Sequence, residues 1–312
     1  MKQKILITGG AGYIGSMLAT ELVYDGHDVT VIDLLKYDKN SLNHLFFYKN
    51  FTFIKCDVRN TKILNREIKK CEIVIPLAAL VGAPLCEKNK KMAKQINLEQ
   101  IKNILKILNK KQKIIYLNSN SGYGIGKKNS YCDENSALNP ISLYGRTKVQ
   151  SEKEVCKHDK FVCLRLATVF GFSYRMRTDL LVNFFVKESI EKKNLKIFEP
   201  HFRRNYIHVR DVVGAIKYSI SNFNKMKNEI YNLGLSSANL TKIELAKKVK
   251  KMNKKIKIKI IKNIKDPDQR DYYVSNAKIE SKGFKAKLKV EDGIKEVYSV
   301  LLNSNKKIIN NY

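Results

Sequence analysis

The 312-residue chain is long enough for one large α/β unit with a smaller lobe, and 44% hydrophobic residues are enough to fill its core. Its formal net charge of +31 is carried by lysines scattered with Asn and Ile along the whole chain, which argues against a dedicated nucleic-acid surface and leaves a general attraction for anionic ligands. No run approaches the roughly 18 apolar residues of a membrane span, the apolar part of the opening MKQKILITGG is too short for a secretory signal, and the six cysteines form neither a CxxC pair nor a cluster with His. A cytoplasmic protein with reduced thiols, no membrane segment and no metal is expected.

Residues 4–8 form a short apolar run leading into glycines, read as a buried strand. Residues 13–24 follow as a helix with Ile14, Leu18, Leu22 and Val23 inward. Further strands are expected at 28–32, 51–55 and 72–75, then a long helix over 92–108 with Ile96, Ile101, Ile104, Leu105 and Leu108 facing a core. A strand at 113–117, a helix at 143–157 and a strand at 161–166 complete an alternation that implies a parallel, doubly wound sheet. Past Gly171 the pattern loosens. Helices are expected at 179–191, 211–222, 241–252 and 292–302, with a strand at 206–210. Thr241 and Glu244 have the spacing of a capping box. KIKIKIIK at 255–262 alternates as a half-exposed strand with its isoleucines inward. The fold class is therefore α/β, a Rossmann sheet with a smaller C-terminal α/β substrate lobe. The expected division gives 1–171 with about 205–235 to the dinucleotide, and 172–204 with 236–312 to the substrate.

ITGGAGYIGS places Gly9, Gly12 and Gly15 between the first strand and first helix, with Tyr13 and Ile14 opening that helix. Such glycines permit a tight turn and a close approach of pyrophosphate to a helix N-terminus. Asp33 ends the second strand, where a carboxylate accepts from the adenosine ribose and repels a 2′-phosphate, favouring NAD over NADP despite nearby Lys36. Asp57 and Val58 follow the third strand at a place suited to the adenine edge. Leu77, Ala78, Ala79 and Val81 are expected to line the cofactor through backbone and apolar contact, and Asn97 and Thr168 to lie in the pocket. Tyr144 and Lys148 stand at i and i+4 on one helix face. The ammonium is expected to favour phenolate, lowering the tyrosine pKa from about 10 and making it a base for an alcohol. The lysine can also hold the nicotinamide ribose.

TGGAGYIG, Asp33, Ser119 with Tyr123-Gly124, Tyr144xxxLys148 and RNYIHVRD together resemble the extended short-chain dehydrogenase/reductases, the sugar-nucleotide epimerases and dehydratases. The resemblance implies that Ser119 completes a catalytic triad and bonds the reacting sugar oxygen. It implies that Arg204, Arg270 and Asn183 contact a substrate diphosphate; His201 and His208, in the same stretch, are expected to serve packing. It also implies a homodimer built as a four-helix bundle from the Tyr–Lys helix and the 92–108 helix. The 4,6-dehydratases of that family carry Asp-Glu after their catalytic Thr; here those positions are Asn120 and Ser121, so dehydration is disfavoured.

PLAALVGAPLC (76–86), NSNSGYGIG (118–126), RLATVFG (165–171), RMRTDLLVN (175–183), HFRRNYIHVRDV (201–212) and DPDQRDYYVSN (266–276) are similar to GDP-heptose 4-dehydrogenases of bacterial capsule heptose pathways. That similarity implies oxidation of GDP-D-glycero-α-D-manno-heptose at C4 with tightly held NAD. A small 2-oxoacid such as 2-oxoglutarate would then recycle the NADH. A C4 epimerase and a nicotinamide-sensing regulatory subunit remain as alternatives, the latter disfavoured by the intact Ser119, Tyr144 and Lys148.

Overall fold

Strand β1 (Lys4–Thr8) shows how the sequence builds two layers of helices. Ile5 and Ile7 pack into one core together with the helices Tyr13–Tyr24 and Val209–Ser221. Leu6, pointing the other way, joins a second core with the helices Thr61–Ile68 and Gln100–Ile107. Burial on both faces is what selects a continuous apolar run over an alternating one. The computed structural model describes residues 2–126, 130–261, 270–303 and 310. Strands β2 (Asp28–Asp33), β3 (Phe51–Lys55), β4 (Ile73–Pro76), β5 (Lys113–Ser119), β6 (Phe161–Leu166) and β7 (Glu229–Leu233) join β1 in the order β7-β6-β5-β4-β1-β2-β3. Each pairing is parallel. The order reverses between β1 and β4, so a crevice opens at their carboxyl ends.

Several elements depart from expectation. The helix Thr61–Ile68, capped by the Asn60 side chain accepting from Ile63 N, is hidden in the sequence by its short length and polar residues, and strand β7 by the Glu229 and Asn232 within its apolar run. The long helix begins at Lys90 and passes through a π turn, Gln95–Glu99, before Gln100–Ile107. The turn buries Asn97, whose Oδ1 accepts from Leu80 N at 2.8 Å while its Nδ2 donates to Leu80 O at 3.0 Å. Asn97 thus braces the segment after β4 from behind; it does not line the cleft.

In the C-terminal part, Arg203–His208 pairs with Asn239–Thr241 and Thr168–Phe170. The strand expected at 206–210 ends at His208, because that imidazole accepts from Arg210 N and starts the next helix. The capping box of Thr241 and Glu244 is present. Lys257–Ile261 forms a two-stranded ladder with Asn194–Phe198. Its isoleucines do not all face inward. Ile256 is buried and Ile258 packs on the core, but Ile260 is 51% exposed, burial fading along the strand. Lys262 lies outside the described residues, as do residues 266–269 of the DPDQR segment.

Candidate active site

A cleft of about 710 Å³ runs along the carboxyl ends of the central strands. At one end the glycine loop leaves β1. A Cβ on Gly9 would meet Ala78 N at 2.5 Å, and the residue's φ is +73°. A Cβ on Gly15 would meet Gly9 O at 2.4 Å. These two positions therefore accept only glycine, whereas Gly12 starts the first helix with no side-chain cap and no acidic residue in its first turn. Gly12 to Gly15 line the cleft, and an uncapped helix start there suits a phosphate. Ile14 lines the same wall; the Tyr13 side chain is buried, its hydroxyl donating to Gly171 O at 2.6 Å.

Asp33 accepts from Ala11 N at 3.0 Å and Leu35 N at 2.8 Å. Burial raises its carboxyl pKa, and those N–H groups restrain the rise. Asp57 is held below the usual carboxylate range by the Arg59 guanidinium, 2.7 Å away. Asp57, Val58, Lys36, Leu77, Ala78, Ala79 and Val81 all reach the cleft. A loop that demands glycine, an uncapped helix start and a carboxylate at the end of β2 together fit a dinucleotide.

Further along, Ser119 at the end of β5 accepts from Ser121 N at 3.2 Å, and Tyr144 and Lys148 enter from the helix Leu143–Val155. Ser142 caps that helix by accepting from Gly145 N at 3.1 Å, which fixes where the tyrosine turn begins. All three expected catalytic side chains line the cleft, with Thr168, Arg204 and Arg270.

The electrostatics differ from the sequence expectation. Burial pushes the Tyr144 phenol up to about 12, against the restraint of Arg270, Arg177 and the Ser119 hydroxyl. Burial also brings the Lys148 ammonium down to about 7, opposed by Cys163 and Glu152. Lys148 Nζ lies 4.1 Å from the Tyr116 ring centroid. Desolvation thus outweighs the cationic field of Arg270 and Arg177, and the expected lowering of the tyrosine is not seen.

Behind the pair lies a buried polar network. Arg165 bonds Glu152 through Nη2 at 2.7 Å and Nε at 3.0 Å, and its Nη1 donates to the Tyr123 hydroxyl at 3.0 Å. Asn118 Nδ2 donates to the same carboxylate at 2.5 Å. Glu152 sits one turn beyond Lys148, so the helix presents tyrosine, lysine and glutamate in a row.

Asn97, described above, and Asn183 fall outside the cleft. Asn183 is fully buried, its Oδ1 accepting from Gly171 N at 3.1 Å and its Nδ2 donating to Arg177 O at 2.8 Å. It anchors the segment after β6 and does not line the cleft, which corrects the expected diphosphate contact. Both histidines also stay outside the cleft. His208 is buried with Nε2 2.7 Å from Glu296 Oε2, and His201 is exposed, edge-on to Phe202. Arg175, Arg177, Asp179 and Lys242 line the cleft without having been singled out from sequence. Arg175, Arg177 and Asp179 belong to the RMRTD run quoted above for its similarity, which gave no role to its individual side chains, and Lys242 had no signal in the sequence. The cleft's carboxylates among the described residues are Asp33, Asp38, Asp57 and Asp179. Asp179 is ion-paired with Arg177, and Asn120 and Ser121 occupy the turn after Ser119, so among the described residues no carboxylate base adjoins that serine.

The NAD dependent epimerase/dehydratase family matches residues 5–234. A UDP-glucose 4-epimerase of Lactobacillus helveticus is 28% identical over 79% of this chain and 81% of its own. The UDP-glucose 4-epimerase of Thermotoga maritima, solved with UDP-glucose, superposes with a TM-score of 0.84 at 25% identity, covering 96% of this chain and 98% of that one. The UDP-glucuronic acid 4-epimerase of Bacillus cereus, solved with UDP-glucuronic acid and NAD, gives 0.85 at 23%, covering 97% and 99%, and shares the fold. No described helix is long and apolar enough to cross a membrane. With a parallel seven-stranded sheet, a glycine loop at its switch point and this match over most of its length, the chain belongs to the NAD-dependent epimerase/dehydratase family of sugar-nucleotide enzymes.

Proposed function

We propose that the chain oxidises C4 of a GDP-heptose, GDP-D-glycero-α-D-manno-heptose, to the 4-keto sugar nucleotide. The observation that carries C4 redox chemistry is the convergence of Ser119, Tyr144 and Lys148 on a cleft that also holds Arg204 and Arg270, with no carboxylate base beside Ser119 among the described residues. The identity of the sugar and base rests on the resemblance of the segments quoted above. NAD, when bound, supplies the hydride acceptor. Gly9, Gly12, Gly15 and Asp33 would hold it, with Asp57 and Val58 at the adenine end and Leu77, Ala78, Ala79 and Val81 along its length. Arg204 and Arg270 hold the substrate diphosphate, since a guanidinium fork matches phosphate oxygens. Ser119 bonds the C4 oxygen, and Tyr144 takes its proton. A 2-oxoacid such as 2-oxoglutarate is the second substrate, drawn to the same cations. Residues 1–171 with about 205–235 serve the dinucleotide and the remainder the sugar nucleotide. The working form is a homodimer. The Tyr–Lys helix packs beside Gln100–Ile107, and a second copy would complete four helices.

Incubation with the GDP-heptose and 2-oxoglutarate should yield keto sugar and 2-hydroxyglutarate by NMR and mass spectrometry. A C4 epimer formed without any acceptor would instead establish the second reading, C4 epimerisation, which the UDP-glucose 4-epimerase relatives favour.

The pH dependence follows from the pair. Lys148 loses its proton near 7, while Tyr144 keeps its own until about 12. Above 7 the Lys148 amine is able to take up a proton, so Tyr144 can accept the C4 proton as its own phenol proton passes on toward the lysine. Oxidation should therefore rise with pH through one ascending limb centred near 7 and then level off. Initial rates between about pH 5.5 and 9 check this; a rate falling across that range contradicts it.

A further inference from the structure

Segment 171–180 is bolted to the start of the first helix. The Tyr13 hydroxyl donates to Gly171 O at 2.6 Å, Ser173 Oγ donates to Tyr13 O at 2.6 Å, and Arg175 N donates to Ser16 Oγ at 3.3 Å. The position of Arg175 is thereby tied to the helix end that receives phosphate. Its side chain lines the cleft at 2% exposure, with the guanidinium carbon 4.7 Å from the Tyr37 ring centroid. Tyr37 belongs to the stretch that leaves Asp33, and the guanidinium is near enough to Asp33 to oppose the rise of its carboxyl. Arg177 enters the same cleft at 6% exposure and pairs with Asp179. The Arg177 guanidinium is close enough to act on that of Arg175, and a cationic wall of this kind suits an anionic ligand.

We propose that Arg175, stacked on Tyr37, reaches from the 171–180 segment to the phosphate–ribose part of the bound dinucleotide and acts as the clasp that retains it. This rests on the reading of the glycine loop and Asp33 as the dinucleotide site. The clasp comes from a part of the chain that the sequence assigned to the substrate, so it crosses the expected division of labour. A guanidinium is suited to the task because its planar face can lie on an aromatic ring while its N–H edge meets phosphate oxygens.

The test uses the full chain, with co-purified dinucleotide measured after gel filtration, followed by titration of stripped protein with NADH, ADP-ribose and adenosine. Arg175→Gln should lose the co-purified dinucleotide and weaken ADP-ribose by about 10- to 100-fold, the range of a charge-assisted bond. Adenosine, which lacks phosphate, should change by less than about threefold. Arg175→Lys, which keeps the charge but not the fork, should fall between, and it decides the matter if the Gln variant does not fold. Unchanged ADP-ribose affinity overturns the clasp, and so does an equal loss for adenosine. If the wild-type protein binds none of the three probes, the dinucleotide-site reading fails and takes the clasp with it.

Discussion

Tyr144→Phe should reduce keto-sugar formation by about 10²- to 10⁴-fold, the usual worth of a positioned proton acceptor, while leaving bound dinucleotide in place. The substitution removes one hydroxyl from a ring that packs against the cluster of Leu80, Cys86, Ala93 and Leu143. That packing is untouched, so the fold should stand. The loss should appear in kcat, because the phenol acts on the C4 proton and the diphosphate is held elsewhere by Arg204 and Arg270. Retention of more than a tenth of wild-type turnover under saturating substrate would remove Tyr144 from the reaction. A regulatory subunit that binds without catalysis makes the opposite forecast, since its biological effect would survive the change.

Arg165→Met should destabilise the protein by about 3–5 kcal/mol, the usual penalty for leaving a buried charge without its partner. Glu152 is 3% exposed and accepts from Arg165 and Asn118. With the guanidinium gone, its carboxylate stays in the interior beside Cys163. Glu152→Gln combined with Arg165→Met should cost less than Arg165→Met alone, because the stranded charge is removed as well. Denaturant midpoints of the four proteins check the sign of that coupling; simple additivity would mean the pair contributes no more than its packing. The same Glu152 change should move the ascending pH limb to lower pH, since Glu152 opposes the fall of the Lys148 pKa.

The central strands were legible because burial on both faces writes a plain signature, as in ILI of β1 and VCLRL of β6. The glycine loop was legible for a related reason: Gly9 and Gly15 stand where backbone crowds backbone, and no other residue fits. Strand β7 was not, because EIYNL carries polar residues whose partners are remote, such as Asn232 bonding Tyr123 and Glu134. The pairing of Tyr144 with Lys148 could be read from spacing, but their proton affinities could not. Those are set by burial and by Cys86, Arg270 and Glu152, groups that only the fold assembles. Asn183 shows the converse. A polar residue in a matching motif had its amide turned to backbone carbonyl and N–H groups, a choice that depends on where the 171–177 loop lies.

The π turn at Gln95–Glu99 sets the rotational phase of everything that follows it in that helix. One surplus residue there turns the downstream segment by about 100° relative to an unbroken α-helix. That offset is what lets Asn97 clasp Leu80 while Gln100, only three positions on, reaches Thr8 at the end of β1 and Ile101 and Ile104 still meet the second core. Deleting a single residue between 97 and 100 would yield a more regular helix and a worse enzyme. The downstream isoleucines would swing off the sheet, and the wall beside the glycine loop would lose its brace. Regularity was given up at one turn so that a single rod could serve two masters, the cleft at one end and the core at the other.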